Sequence, residues 1–257
     1  MIAVVFSIEN EASVNMFERF LEKGFREIEG TFQDLPLFEK DNIVLARCKQ
    51  HICYLDHLDI LRAEQIIVAS SHKSEAETPS FTIHPTGNFG NNELGGNAKE
   101  LSYTNSQVMR DIYLQMLSNP MPDYKVCLEQ THHGPTKFKT PLCFVELGSS
   151  ERQWGDKEAA DFLVNCILHG LKSKEKAESV IGIGGNHYAS LFSELEKEYA
   201  FGHMCPKYSL DYLDETMVGQ MFDKTVPRPI KAIVDEKGVK QKGRLKEMLK
   251  DYEVVFR

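Results

Sequence analysis

The sequence predicts an α/β fold: a three-layer α/β/α arrangement built on a mostly parallel, mixed sheet. Three observations carry that expectation. Short runs rich in branched apolar residues recur along the chain, and segments of helical periodicity fall between them. Several of the runs are apolar almost throughout, as in strands covered on both faces.

The first run, IAVVFSI (2–8), reads as a strand; it is too short and lacks the basic flank of a signal peptide. NIVLA (42–46) and HICYLD (51–56) are weaker strand candidates, and QIIVAS (65–70) is a strong one. FTIH (81–84) is again weaker. Residues 71–104 contain SHKSEAETPS and GNFGNNELGGNAK, an irregular stretch of the length that is usually functional or disordered. In 105–118, Val108, Ile112 and Met116 recur every four residues, and Asn119-Pro120 stops the helix. KVCLEQ (125–130) and LCFVEL (142–147) are strands. A helix over 156–172 takes Asp156 as N-cap and buries Ala159, Phe162, Leu163, Cys166 and Ile167. ESVIGIG (178–184), KAIVD (231–235) and 252–256 complete the strands, with a last helix over 239–250. With no internal repeat and no low-complexity linker, one domain over 1–257 is expected.

At 42% hydrophobic and 26% charged, the chain has the balance of a soluble globular protein, and no apolar run reaches the roughly 20 residues of a membrane span. The formal charge of −8 argues against diffuse binding to nucleic acid while leaving a local basic patch open. The six cysteines lie mostly in apolar runs and are expected as reduced core thiols, which suits the cytoplasm.

Polar, glycine-rich turns follow several strands, where open parallel sheets build their sites. They hold His72, the His84–Asn88 turn, EQTHHGPT (129–136), Gly148-Ser149-Ser150 and Gly184-Gly185-Asn186-His187. If 125–131 is extended, Glu129, Thr131 and His133 share one face. His132 joins them only if the backbone turns at His132-His133, which Gly134-Pro135 favours. Neutral imidazole can hold zinc or act as a base near neutral pH. GIGGNHY lacks the spacing of a dinucleotide loop, so no dinucleotide cofactor is expected; Gly184-Gly185 or Gly87-Asn88 could offer backbone amides to an oxyanion. CKQHICYLDHLD (48–59) has metal-binding residue types without zinc-knuckle spacing and reads as structural. Lys137 and Lys139, just past the His-His turn, could hold phosphates, whereas the basic run 237–250 reads as a solvated helix face.

Seven segments occur together in an order that resembles the archaeal-type D-aminoacyl-tRNA deacylases, the D-tyrosyl-tRNA deacylase family of archaea and plants. They are SSHKSE (70–75), FTIHPTGNFG (81–90), ELGG (93–96), EQTHHGP (129–135), FVELGSSERQW (144–154), GIGGNHYAS (182–190) and FGHMCPKY (201–208). The resemblance implies a phosphorylase/hydrolase-like sheet, hydrolysis of the ester joining a D-amino acid to tRNA, and Zn²⁺. The matching polar positions include His72, His84, Asn88, Glu129, Thr131, His132, His133, Glu146, His187 and His203. Gln130 and Ser190 depart mildly from the pattern.

The resulting expectations are as follows. Glu129, Thr131, His132 and His133 are catalytic; His84, His132, His133 and His187 are the pool of metal ligands; His72, Asn88, Gly184, Gly185, Lys137 and Lys139 meet substrate. D-aminoacyl-tRNA is the partner, no membrane is involved, and the chain is a cytoplasmic monomer. A metal-free mechanism, with one histidine as base, stays open. So do a zinc peptidase or peptidyl-tRNA hydrolase, and a non-catalytic tRNA- or metal-binding module.

Overall fold

The computed structural model describes residues 1–240 and 242–257. In chain order the elements are β1 (Ile2–Ser7), α1 (Glu11–Glu22), β2 (Arg26–Phe32), β3 (Leu35–Lys40), β4 (Ile43–Cys48), β5 (Gln65–Lys73), β6 (Ser80–His84) and the two-residue β7 (Gly87–Asn88), β8 (Glu100–Leu101) and β9 (Thr104–Asn105). Then come α2 (Ser106–Ser118), β10 (Lys125–Leu128), β11 (Leu142–Ser149), α3 (Glu151–Trp154), α4 (Lys157–Gly170), β12 (Glu178–Ile183) and α5 (Ser190–Leu195). The chain closes with β13 (Tyr199–Cys205), α6 (Glu215–Asp223), β14 (Thr225–Val226), β15 (Lys231–Val234), α7 (Lys242–Met248) and β16 (Glu253–Phe256).

Two main sheets form rather than one, with the two-stranded pairs β14-β9 and β7-β8 beside them. The larger runs β10-β6-β11-β5-β1-β4-β3-β2, and the smaller, entirely parallel, runs β13-β12-β15-β16. The larger is mixed: β5, β1, β4 and β11 are parallel, whereas β6 lies antiparallel to β11. β1 shows why its run is apolar throughout. Val4 and Phe6 join the core shared with α1, α2 and α4, while Ala3 and Val5 join a core on the opposite face. That opposite face is covered by 3₁₀ turns at Ile52–Tyr54 and Leu58–Leu61 and by Phe138. The helical core also takes in Val180, Phe201 and Ile233, so it joins the two sheets. On the far side of the smaller sheet, α6 and α7 bury Met217, Met221, Phe222 and Leu245.

The expected strands at 2–8, 42–46, 65–70, 81–84, 125–130, 142–147, 178–184, 231–235 and 252–256 are all present, with shifted ends. HICYLD is not one of them. Its alternation comes from a 3₁₀ turn in which Ile52, Cys53 and Leu55 are buried and Tyr54 is exposed. Helices 105–118 and 156–172 form with Asn105 and Asp156 as N-caps, each accepting two backbone N–H bonds. Helix α1, capped by Asn10, the β2–β3 hairpin and β13 lie outside the expected elements.

Candidate active site

Three neighbouring strands of the larger sheet bring the first side chains together. Register places Phe144 opposite His84, and Gly148 opposite His72, with Glu146 between them on β11. Because side chains alternate, His84, Glu146 and His72 emerge on the face that carries Phe144 and Val68, opposite the helices. These three lie over a sheet face toward strand ends: His84 closes β6, whose end is level with the middle of β11, and His72 stands one residue before the end of β5.

The second group comes from the turn after β10. Pairing stops at Leu128, and the following backbone is bonded on two sides. Gln130 N–H donates to the His187 carbonyl (2.9 Å) and Thr131 N–H to the Met204 carbonyl (3.0 Å), both beside the smaller sheet. On the other side Thr86 bridges His132, and Gly87 N–H donates to the His133 carbonyl (2.8 Å). The chain turns sharply at His133, where φ is 41°, and the two imidazoles come within 4.4 Å of each other. The expected turn is present.

Glu129 is fully buried at the centre of the cluster. Its Oε2 lies 2.8 Å from His187 Nε2 and 3.6 Å from His132 Nε2, and its Oε1 lies 3.0 Å from His72 Nδ1. Glu146 approaches His72 Nδ1 at 3.6 Å and His84 Nε2 at 3.7 Å. His84 stacks on His132 at 4.1 Å. Apart from His84, which is fully buried beneath them, these groups line a cleft of about 530 Å³, with Asn10, Ser71, Lys73 and Trp154 on its walls. His187 stands at the rim, about a third of its side chain exposed (35%).

Burial opposes ionisation of Glu129, but contacts with His187 and His72, and the nearby His132 and His84, hold its carboxyl well below the ordinary range. Burial likewise works against a charged His72, yet Glu129 and Glu146 overcome it and push its pKa up to about 11. His84 is raised in the same way, against burial, by Glu146. His132 goes the other way: burial and the neighbouring His84 and His133 hold it well below normal. Burial and His84 bring His133 to about 4. Burial opposes ionisation of Glu146 too, but His72 and His84 hold its carboxyl below the ordinary range.

The donor set fits zinc. A carbonyl can only accept, so the Nδ1 atoms of His84, His132 and His133 donate to the carbonyls of Pro85 (3.2 Å), Gln130 (2.7 Å) and Gly134 (2.6 Å). That arrangement turns each Nε2 toward the cluster, as backbone partners do for metal-ligating histidines. His84 Nε2 and both oxygens of Glu129 are buried without a hydrogen-bond partner in good geometry. Three sets of donor atoms, each within 4.8 Å, are His84/His132/His133, Glu129/His132/His187 and His72/Glu129/Glu146.

The remaining expected site residues are placed differently. Thr131 Oγ1 accepts the Met204 N–H (2.9 Å) and donates to His203 Nδ1 (3.2 Å), away from the cluster. Asn88 spends its amide on the carbonyls of Gly95 (2.9 Å) and Asn97 (3.0 Å), fixing the glycine-rich loop. Gly184 N–H is taken by the Cys205 carbonyl, and Gly87 N–H by His133, so neither amide is free for an oxyanion. Gly185 has φ of 77° and its carbonyl accepts Lys207 N–H. Lys137 is paired with Asp56 at 2.7 Å, whereas Lys139 is exposed. His72 sits between the Glu129 and Glu146 carboxylates and also lines the cleft. Glu146 had no expected role, although its sequence signal was available: a carboxylate inside the apolar run LCFVEL must find a partner if both faces are covered.

A buried carboxylate ringed by histidines in an open cleft, on an α/β sheet, defines a hydrolase-type centre that can hold a metal ion and move protons. Its sequence relatives narrow the class. The family described as D-aminoacyl-tRNA deacylase matches residues 60–256. The D-aminoacyl-tRNA deacylase of Pyrococcus furiosus is 33% identical, covering 94% of this chain and 92% of that one. That of Ignicoccus hospitalis is 37% identical over 72% of this chain and 76% of its own. A crystal structure of a conserved protein of unknown function superposes with a TM-score of 0.92 at 28% identity, covering all of this chain (100%) and 95% of its own. The chain belongs to the D-aminoacyl-tRNA deacylase family.

Proposed function

We propose that the Glu129 cluster is where this chain hydrolyses the ester between a D-amino acid and the terminal ribose of tRNA, with water as nucleophile. The observation that carries this reading is the 2.8 Å pairing of buried Glu129 with His187, which reaches the rim of the cleft. As water adds to the ester carbonyl, its proton goes to Glu129 Oε2. His187 Nε2 then passes a proton to the ribose oxygen as the acyl C–O bond breaks, freeing the amino acid and the tRNA. His72 acts through Glu129, holding it in place and ionised, and Glu146 acts one step further out by pairing with His72. Zn²⁺, held by Nε2 of His84, His132 and His133 with Glu129 and His187 adjacent, would polarise the carbonyl and lower the pKa of water toward about 7. Discrimination against L-esters falls to the cleft walls rather than to one side chain.

The test compares D- and L-tyrosyl-tRNA as substrates, with metal content measured. Glu129→Gln and His187→Ala should each cost about 10²–10⁴-fold in kcat/KM on the D-ester. Equal rates on the two enantiomers would sink the assignment. Full activity in a verified metal-free protein would sink the zinc role alone.

A further inference from the structure

The reactive cleft does not end at the histidines. His132 and His133 also line a second groove of about 340 Å³ on their other side, walled by Tyr208 and Tyr212. Tyr208 in turn lines a third groove, of about 440 Å³, with Lys207, Lys237, Lys240 and Arg244. The three spaces thus form one track through shared residues. Tyr208 and Tyr212 are exposed (57% and 46%), and the Tyr208 hydroxyl lies 3.4 Å from His187 Nδ1. The Tyr212 ring is held flat against Gly90, where even a Cβ would come within 3.0 Å. Arg244 is anchored to the carbonyls of Leu213 (2.6 Å) and Leu210 (3.4 Å). Among the described residues, no carboxylate pairs with Lys207, Lys237 or Lys240, in contrast to Lys137. Asp211 is the only acidic residue lining the third groove among those described, and Glu93 lines the second.

Aromatic faces leading into unpaired cations are how single-stranded nucleic acid is held without base readout. Resting on the activity proposed above, we infer that this track seats the single-stranded 3′ end of tRNA. The terminal base stacks on Tyr208 and Tyr212, and the preceding phosphates lie over Lys207, Lys237 and Lys240. The basic run read from sequence as a solvated face is then part of the substrate surface, and Lys137, neutralised by Asp56, is not.

Binding of uncharged tRNA, followed by fluorescence anisotropy across a salt series, tests this independently of hydrolysis. The triple variant Lys207→Ala, Lys237→Ala, Lys240→Ala should bind about 10–100-fold more weakly at low salt. Its log–log salt slope should be shallower by about 2, at roughly 0.7 per lost single-strand phosphate contact. The same three positions changed to Arg should retain binding, and Asp211→Asn should tighten it. Hydrolysis of D-tyrosyl-adenosine, which has no phosphates, should be unchanged in the triple variant, while KM for D-tyrosyl-tRNA rises. Tyr212→Ala should raise KM for both substrates and Tyr212→Phe restore it. An unchanged tRNA affinity and slope in the triple variant overturns the track. So does a loss of binding in Lys137→Ala, Lys139→Ala alone. A wild-type chain that binds tRNA through these lysines but cleaves neither ester overturns the proposed activity and leaves the track standing.

Discussion

Thr131 is two residues past Glu129, yet its hydroxyl serves a different part of the molecule. The alternation that would align them holds only while the strand continues, and β10 ends at Leu128. Glu129 N–H still donates to Ile83 of β6 (3.0 Å), but the N–H groups of Gln130 and Thr131 turn to His187 and Met204, and side-chain direction follows those bonds rather than parity. Thr131→Val should therefore cost about 1–2 kcal/mol in urea unfolding, for the lost acceptor of the Met204 N–H, with kcat changed by only a few-fold. A hundredfold loss of kcat with unchanged stability would return Thr131 to the reaction. The grouping of His84, His132, His133 and His187 was legible because each stands in a polar turn beside a strand. Glu146 and His72 were harder to place, since their meeting depends on the register of β5 and β11, which a sequence does not display.

Among the elements, the glycine-rich stretch 88–97 is an ordered brace behind the histidine turn. Gly134 N–H donates to the Leu94 carbonyl (2.9 Å), and Asn88 ties down Gly95 and Asn97. Gly95 sits at φ 72°, and a Cβ there would fall 1.9 Å from the Cys53 carbonyl oxygen. Gly95→Ala should cost about 2–4 kcal/mol and lower kcat at least tenfold, as the brace shifts under His133. Gly219→Ala is the control: it lies inside α6 with nothing within 4 Å of its Cβ position, and should stabilise by about 0.5–1 kcal/mol. Thermal melts and steady-state rates on both variants decide it. From sequence this stretch showed only low periodicity. Its order comes from the Asn88 amide, the Gly134 N–H and close packing against Cys53, which sits in a 3₁₀ turn that the same reading took for a strand.

At the scale of the whole molecule, most strands were legible because burial on both faces leaves uninterrupted apolar runs. Their division into two sheets was not, because the same apolar signature suits either sheet. Holding the two together is costly in one place. Glu196 is fully buried, with Oε2 accepting the Phe201 N–H (3.0 Å) and Oε1 unpartnered. Burial raises its pKa well above the ordinary range, against the pull of the Phe201 N–H and Arg110. In acid, folded and unfolded chains both keep this proton. As pH rises through the usual carboxylate range, only the unfolded chain releases it, so stability falls until the folded pKa is passed. Glu196→Gln, which keeps an acceptor for Phe201, should remove a slope of up to about 1.4 kcal/mol per pH unit. Urea titrations between pH 4.5 and 8 on both proteins read that difference; parallel stability curves would contradict it.

The bonds from Gln130 to His187 and from Thr131 to Met204 form the seam between the sheets, and they lie in the same turn that carries His132 and His133. Glu129 comes from one side of that seam and His187 from the other. On the proposed mechanism, a chain loosened enough for the sheets to part loses both halves of its proton path at once. An esterase loosened elsewhere could linger as a careless one, stripping the L-aminoacyl-tRNAs on which translation depends. On that mechanism this one would fail silent: the turn proposed to make it reactive is also one of the places where the sheets must separate for it to come apart.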